Sequence, residues 1–519
     1  MARIGAPADT RESSVEADGG QVLSRKHIRG SSLLLAGRLL AMLIKFVFQV
    51  LIVRYLSTGD YGAWTYALAV VTFFEGFTKL GLTKTLPRFL AMDLERKEYP
   101  RFFGTLGLIL GALLLLTGSV VVAFYLFPEQ LVAVAGQTPD DLEILFVVIL
   151  LLPLQLMDQF LTELCATFSK SRAIFVRRYV LHPLLLLAVA LGLVAFQADV
   201  LFLAYGYLIA MLLGTLYYGW TAVQIMARAG LFRHLKEGIV VPAREVLSYA
   251  APLMTDAVGS LILSIGPLML GYHSDMDAVA MFQVVMPLVA VAEVVKQTFN
   301  LLFKPTAARF FARADAEGLH TLYWRTATWV AVLGFATFAV TFTAARPLVV
   351  LFFGERYQDS AAILSILVIA YYFSSALGPN STVVKVVGRM RWIVAINVFT
   401  AGAAVGIHQL LVPAMGAIGA GIATAGSVLL YNVLNHVALH YATGVRIFDV
   451  ECARPYLTIA ASIPILVAVR MLAPDAILVQ ALFVALTTAA VLRSARTNLD
   501  FSSTFPELGQ FRIVRLLLG

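Results

Sequence analysis

Two cations, Arg38 and Lys45, stand seven residues apart inside an apolar run near the start of the chain. Ser31, Arg38, Lys45 and Gln49 are separated by 7, 7 and 4 residues. At 100° per residue they fall within about 40° of one another, a single polar stripe on one helix face. A charged side chain near the middle of a bilayer costs about 2.5–3.5 kcal/mol, so it must face a partner or a wet cavity. Lys45 lies about 22 Å beyond the expected inner end of the helix, too deep for easy snorkelling, whereas Arg38 is only two turns in and can snorkel. The chemistry open to such groups is electrostatic binding rather than bond making.

Other buried charges recur along the chain. Glu75 and Lys79 have the i, i+4 spacing of a self-contained ion pair, with Lys79 near enough to the inner surface to snorkel. Asp256 falls mid-way along a later apolar run, and Glu293, Lys296, Gln297 and Asn300 form a polar face leading toward Lys304. Glu293 and Lys296 serve either a cavity or a helix-to-helix ion pair. Asp158 and Glu163 rank below these, since Glu163 has Lys170 and Arg172 within reach as partners. Asn432, Asn435, His436 and His440 read as hydrogen-bonding glue between helices.

The elements that must position these groups are membrane helices. Of 519 residues 60% are hydrophobic and 13% charged, with a mean hydropathy of +0.84, against roughly 25% charged in a soluble domain. Apolar runs of spanning length are expected at 31–55, 61–85, 102–126, 141–166, 176–196, 199–225, 245–271, 277–303, 322–343, 360–384, 390–411, 416–441, 455–472 and 475–492. The last two are divided only by the minimal break at Pro474 and Asp475. This is an all-α polytopic membrane protein of about fourteen helices.

Charge placement sets the orientation. Thirty-two of the 39 Lys and Arg fall in the tail and alternate loops expected inside, and four (Arg54, Arg346, Arg356, Arg470) in those expected outside. The inner set includes Lys170, Arg172, Arg177 and Arg178, taken as one basic loop. Both termini are therefore expected in the cytoplasm, and the net charge of +8 is a topology signal rather than a nucleic-acid site. Residues 1–29 read as a disordered cytoplasmic tail, followed by a six-helix lobe over 30–227, a second over 245–442, two extra helices over 455–492 and a tail over 493–519. Glu75 and Pro87 recur at the separation of Glu293 and Pro305, a weak sign of duplication between the lobes.

Two cysteines, Cys165 and Cys452, offer neither a disulfide framework nor a metal-ligand pair. The nucleotide-binding GxxxxGK[ST], the zinc-protease HExxH and the esterase GxSxG are missing, and no polar break exceeds about 20 residues, so an enzyme domain has no place to fold. No cofactor is expected.

Several stretches resemble the polysaccharide and O-antigen flippase branch of the multidrug/oligosaccharidyl-lipid/polysaccharide exporter superfamily. In VRYLSTGDYGAWTYAL, residues 53–68, Arg54, Leu56, Ser57, Tyr61 and Gly62 fit the turn between helices 1 and 2, and Gly81, Leu82 and Arg88 fit the exit of helix 2. FFGERYQDSAAILSIL at 352–367 has Gly354 and Tyr357 in place, and VVGRMRW at 386–392 matches a basic turn. LVPAMGAIGAGIAT at 411–424 carries Pro413, Gly416, Gly419 and Ala420 at the crossing from helix 11 to helix 12.

The resemblance implies two six-helix lobes around a central cavity, two added helices and alternating access without ATP. It implies a polyprenyl-diphosphate oligosaccharide as cargo, moved across the cytoplasmic membrane for surface polysaccharide synthesis. Arg38, Lys45 and Lys296 then suit the diphosphate, while Glu75, Asp256 and Glu293 suit charge compensation or a coupling Na+ or H+. Membrane lipid and a polysaccharide polymerase or ligase are the implied partners. Two alternatives stay open: a cation-coupled multidrug antiporter of the same superfamily, which would depend on the carboxylates, and a scaffold for a polysaccharide synthase, which would need none of these charges.

Overall fold

A computed structural model describes residues 37–128, 139–168, 170–254, 256–474 and 476–496. The expected tails, Ser31 and Asp475 lie largely or wholly outside the described residues, as does the side chain of Asp256. Among the described residues the chain is helical and has no strands. Among the described residues nine helices are long and apolar enough to cross a membrane, and up to ten if the bent pair Ser360–Ala376 and Asn380–Val386 is one span. Helix also covers most of the described part of each segment expected to span, with breaks at 79–81, 149–150, 284–285 and 377–379, and the number fourteen is not reached by that criterion.

Two local devices explain where spans begin and end. Met390–Thr443 runs for 54 residues, roughly 80 Å if straight, which is far more than the ~30 Å of a hydrocarbon core. Gly416, at φ 55 and ψ −133, breaks it where no side-chain-bearing residue sits easily. The Pro-x-x-Gly pattern at 413–416 therefore turns one apolar stretch into two. Pro474 does the same between Ala453–Leu472 and Ile477–Ser494, which pack against each other.

Contacts divide the chain into two compact units. Unit one takes residues up to Leu51, Thr83–Leu114 and Pro153–Ala243; unit two takes Ile52–Leu82, Leu115–Leu152 and everything from Arg244.

Unit one holds the helix over 37–51, the stretch Tyr99–Leu126 up to Leu114, a segment from Pro153 to Thr167, and Val200–Arg228. Ser171–Phe175, Val176–Leu181 and His182–Ala195 form one continuous helix, of which the middle piece is π-helical. Pro183 has no N–H for the carbonyl four residues back, and the wider π turn accommodates its ring. Gly37 lets the first helix approach this one, since a β-carbon there would overlap the Phe175 ring.

Unit two is built around Met390–Thr443, against which Asp256–His273 and Ser360–Ala376 pack. Its aromatic core includes Tyr323 and Trp324, both buried, with His436 between Tyr323 Oη at 3.0 Å and the Ile447 carbonyl at 2.8 Å. His440 reaches the Val445 carbonyl at 2.9 Å. The two asparagines differ from them. Asn432 and Asn435 donate back to Val428 and Tyr431 of their own helix, and it is the Asn432 carbonyl that accepts from Asn380 across helices.

The motif residues of unit two also meet. Ser57 caps Thr58–Thr78 by accepting from the Asp60 N–H at 3.0 Å. Gly62 leaves room for the Met276 carbonyl, and Tyr61 meets Tyr357 edge-on with centroids 6.3 Å apart. Arg54 donates to the carbonyls of Leu351 and Phe352 at the end of Ala345–Phe353, while Arg356 donates to the Val53 carbonyl at the end of the first helix. Each arginine thus terminates the other's helix. Arg54→Ala and Arg356→Ala should each cost about 1–3 kcal/mol, because helix-end carbonyls lose a charged donor. The measurement is the thermal midpoint of the detergent-purified protein; wild-type midpoints in both variants would refute the latch.

Candidate functional site

The first helix puts Gly37, Ala41 and Phe48 on its packed face, and the stripe of Arg38, Lys45 and Gln49 beside it. Lys45 is exposed and Arg38 half-buried. Lys45 feels the charges of Arg178, Arg177 and Asp158, all of unit one. Arg178 is itself exposed, and acts together with Lys84 on Glu163. Four cations, Lys45, Lys84, Arg177 and Arg178, therefore share a region with two carboxylates, Asp158 and Glu163.

Two members of this cluster form an ion pair. Arg177 is 1% exposed and its Nη2 is 2.7 Å from Asp158 Oδ1. Val200–Arg228 shapes the hole that holds it: Met211 Sδ lies 3.6 Å from Nη2, and the Tyr218 ring lies 5.7 Å from Cζ. Gly214, on the same helix face, is needed because a β-carbon there would overlap the guanidinium. Gly214→Ala is expected to destabilise the protein by about 1–3 kcal/mol through overpacking, seen as a lower thermal midpoint. An Ala variant that melts with wild type would show the arginine can move aside.

Asp158 is bonded to Arg177, and Glu163 lies within the electrostatic reach of Arg178 and Lys84. Sequence reasoning missed this arrangement. Arg177 and Arg178 adjoin Lys170 and Arg172 and read as a basic loop, whereas they lie on Arg172–Ala195, a helix long and apolar enough to span. The available signal was Pro183 preceded by a run with no turn residue.

The remaining candidates belong to unit two. Glu75 pairs with Lys79, as the i, i+4 spacing allows. Lys296 donates to the Ser374 carbonyl at 3.2 Å and its hydroxyl at 2.9 Å, with Glu293 close enough to act on it electrostatically. Glu293 accepts from Gln297 at 3.5 Å. Asp256 opens the helix Asp256–His273. Among the described residues no group of three or more His, Cys, Asp or Glu is placed to hold a metal ion.

A family model described as "Polysaccharide biosynthesis protein" matches residues 27–301, more than half of the sequence. The chain belongs to that family. A structure of the lipid II flippase MurJ in an inward closed conformation matches with a TM-score of 0.67 at 12% identity, covering 93% of this chain and 99% of that one. An inward-facing multidrug resistance MATE family transporter of the MOP superfamily matches at 0.62 and 14% identity, covering 78% and 94%. The bent form of the Vibrio cholerae MATE transporter VcmN matches at 0.54 and 14%, covering 81% and 98%. No curated protein matches the sequence. The turn at Arg54 lies within the matched residues, and the fold resembles those of the MurJ and MATE structures.

Proposed function

We propose that this multi-pass membrane protein is a flippase that carries a polyprenyl-diphosphate-linked oligosaccharide across the cytoplasmic membrane by alternating access, for cell-surface polysaccharide synthesis. The observation that carries the reading is the cation excess around Lys45. Exposed ammonium and guanidinium groups on apolar helices call for an anion, and the two phosphates of such a cargo supply one. Membership of the polysaccharide biosynthesis family supports the sugar part of the cargo, and the named activity of MurJ supports the lipid part.

In this scheme Lys45 and Arg178 contact the diphosphate directly, with Arg38 further along the same stripe, and the buried Arg177–Asp158 pair holds the Arg178 helix in place. Lys296 is assigned a further cargo contact, made when its ammonium leaves Ser374. Glu293, Asp256 and Glu75 are assigned to charge compensation or to a coupling Na+ or H+, with Glu75 exchanging Lys79 for that ion. The six-helix repeats over 30–227 and 245–442 are the moving lobes, both termini are cytoplasmic, and a polymerase or ligase takes the product outside.

A multidrug antiporter has the same fold and is the competing reading. Reconstituted protein should move a labelled lipid-diphosphate oligosaccharide between leaflets of proteoliposomes and leave cationic drugs where they are. Drug transport without glycolipid transport, across several glycolipids, would replace the flippase by the antiporter.

A further inference from the structure

Lys170, Arg172 and Arg228 line one pocket of unit one, a concavity of about 660 Å3 between the start of Ser171–Phe175 and the last turns of Val200–Arg228. Gln224 adds a hydrogen-bonding group, and Tyr217 and Ile225 an apolar wall. No Asp or Glu is among the lining residues, and neither are Lys45, Asp158, Arg177 or Arg178. This pocket is distinct from the cluster around Lys45.

Its surroundings fix the depth at which it opens. Directly after Arg228, the short helix Leu231–Glu237 and the strand of chain behind it expose Phe232, Leu235, Ile239 and Val240 alongside Arg233 and Lys236. Exposed apolar side chains interleaved with basic ones belong at the boundary between head groups and acyl chains. Trp220, 66% exposed, and Tyr217 add the aromatic residues enriched at that boundary. Basic residues scattered for topology alone need no concavity, no apolar wall and no shared pocket.

We propose that this pocket binds the phosphate headgroup of an anionic phospholipid from the leaflet that the basic loops face. The three cations take the phosphate, Gln224 takes a headgroup or ester oxygen, and the acyl chains leave along Tyr217 and Ile225. A free phosphate would use the cations but not the wall.

The test is a lipid titration of the detergent-purified full chain by native mass spectrometry, comparing phosphatidylglycerol with phosphatidylcholine of the same acyl chains. Wild type should retain the anionic lipid at least about tenfold better. Lys170→Gln, Arg172→Gln and Arg228→Gln should each weaken it about fivefold, and the triple variant should bind both lipids alike. A matched triple, Lys385→Gln, Arg389→Gln and Arg391→Gln, removes the same charge from another basic turn and should keep the preference. Equal loss in the matched triple, or none in the pocket triple, would overturn the assignment. Displacement of the lipid by millimolar inorganic phosphate would overturn it in favour of a free-phosphate site. Should the pocket triple melt early, Arg228→Gln alone, on an exposed helix end, carries the same test.

Discussion

Asp158→Ala should lower the stability of the folded protein by about 3–5 kcal/mol, the largest effect expected of any single substitution here. Arg177 is 1% exposed, and Asp158 is the carboxylate bonded to it. Without it the guanidinium keeps the face of Tyr218 and the sulfur of Met211. A ring face is worth ~0.5–2 kcal/mol to a cation, too little to replace a carboxylate in an apolar interior. Asp158→Asn retains the shape and one acceptor, so it should fall between wild type and Ala. The double variant Asp158→Ala, Arg177→Met removes both charges and should regain most of the loss, since apolar replacement of a buried pair is often nearly neutral. Thermal midpoints of the four proteins in detergent, arranged as a double-mutant cycle, check this. An Asp158→Ala variant as stable as wild type would mean that Arg177 escapes its pocket.

The second large effect concerns transport rather than stability. Lys45→Ala is expected to reduce glycolipid flipping about ten- to hundredfold, the value of a charged hydrogen bond of ~1.5–3 kcal/mol. The fold should not suffer. Lys45 is exposed, and of the charges acting on it the like charges of Arg178 and Arg177 outweigh the attraction of Asp158. Removing it relieves a repulsion, so the thermal midpoint should hold or rise. Arg178→Ala should likewise reduce flipping, and since Arg178 is exposed its loss should cost far less stability than a change at the buried Arg177. Unchanged flipping in Lys45→Ala, measured in the same vesicles as wild type, would remove the centre of the proposed mechanism.

The architecture was legible because membrane insertion is governed by local quantities. Twenty apolar residues span a bilayer whatever packs beside them, and a Gly at φ 55 breaks a helix wherever it falls. The stripe of Arg38 and Lys45 was readable for the same reason, since helical periodicity acts within one helix. The turn motif at Arg54 lies in the part of the chain that the family model matches, and those at Gly354 and Gly416 mark positive-φ turns that local sequence encodes.

The charge partners were not legible. Whether Glu75 pairs along its own helix follows from spacing, but that Asp158 takes Arg177, or Lys296 takes Ser374, depends on which helices become neighbours. Residues 158 and 177 are joined by a turn and a π-helical segment whose rotation no periodicity foretells. The sequence by itself determined a many-helix membrane protein of the polysaccharide biosynthesis family with costly charges on its helices. The tertiary structure alone decided which of those charges are paired with each other. Electrostatic energy depends on distances between helices, and helix periodicity carries none.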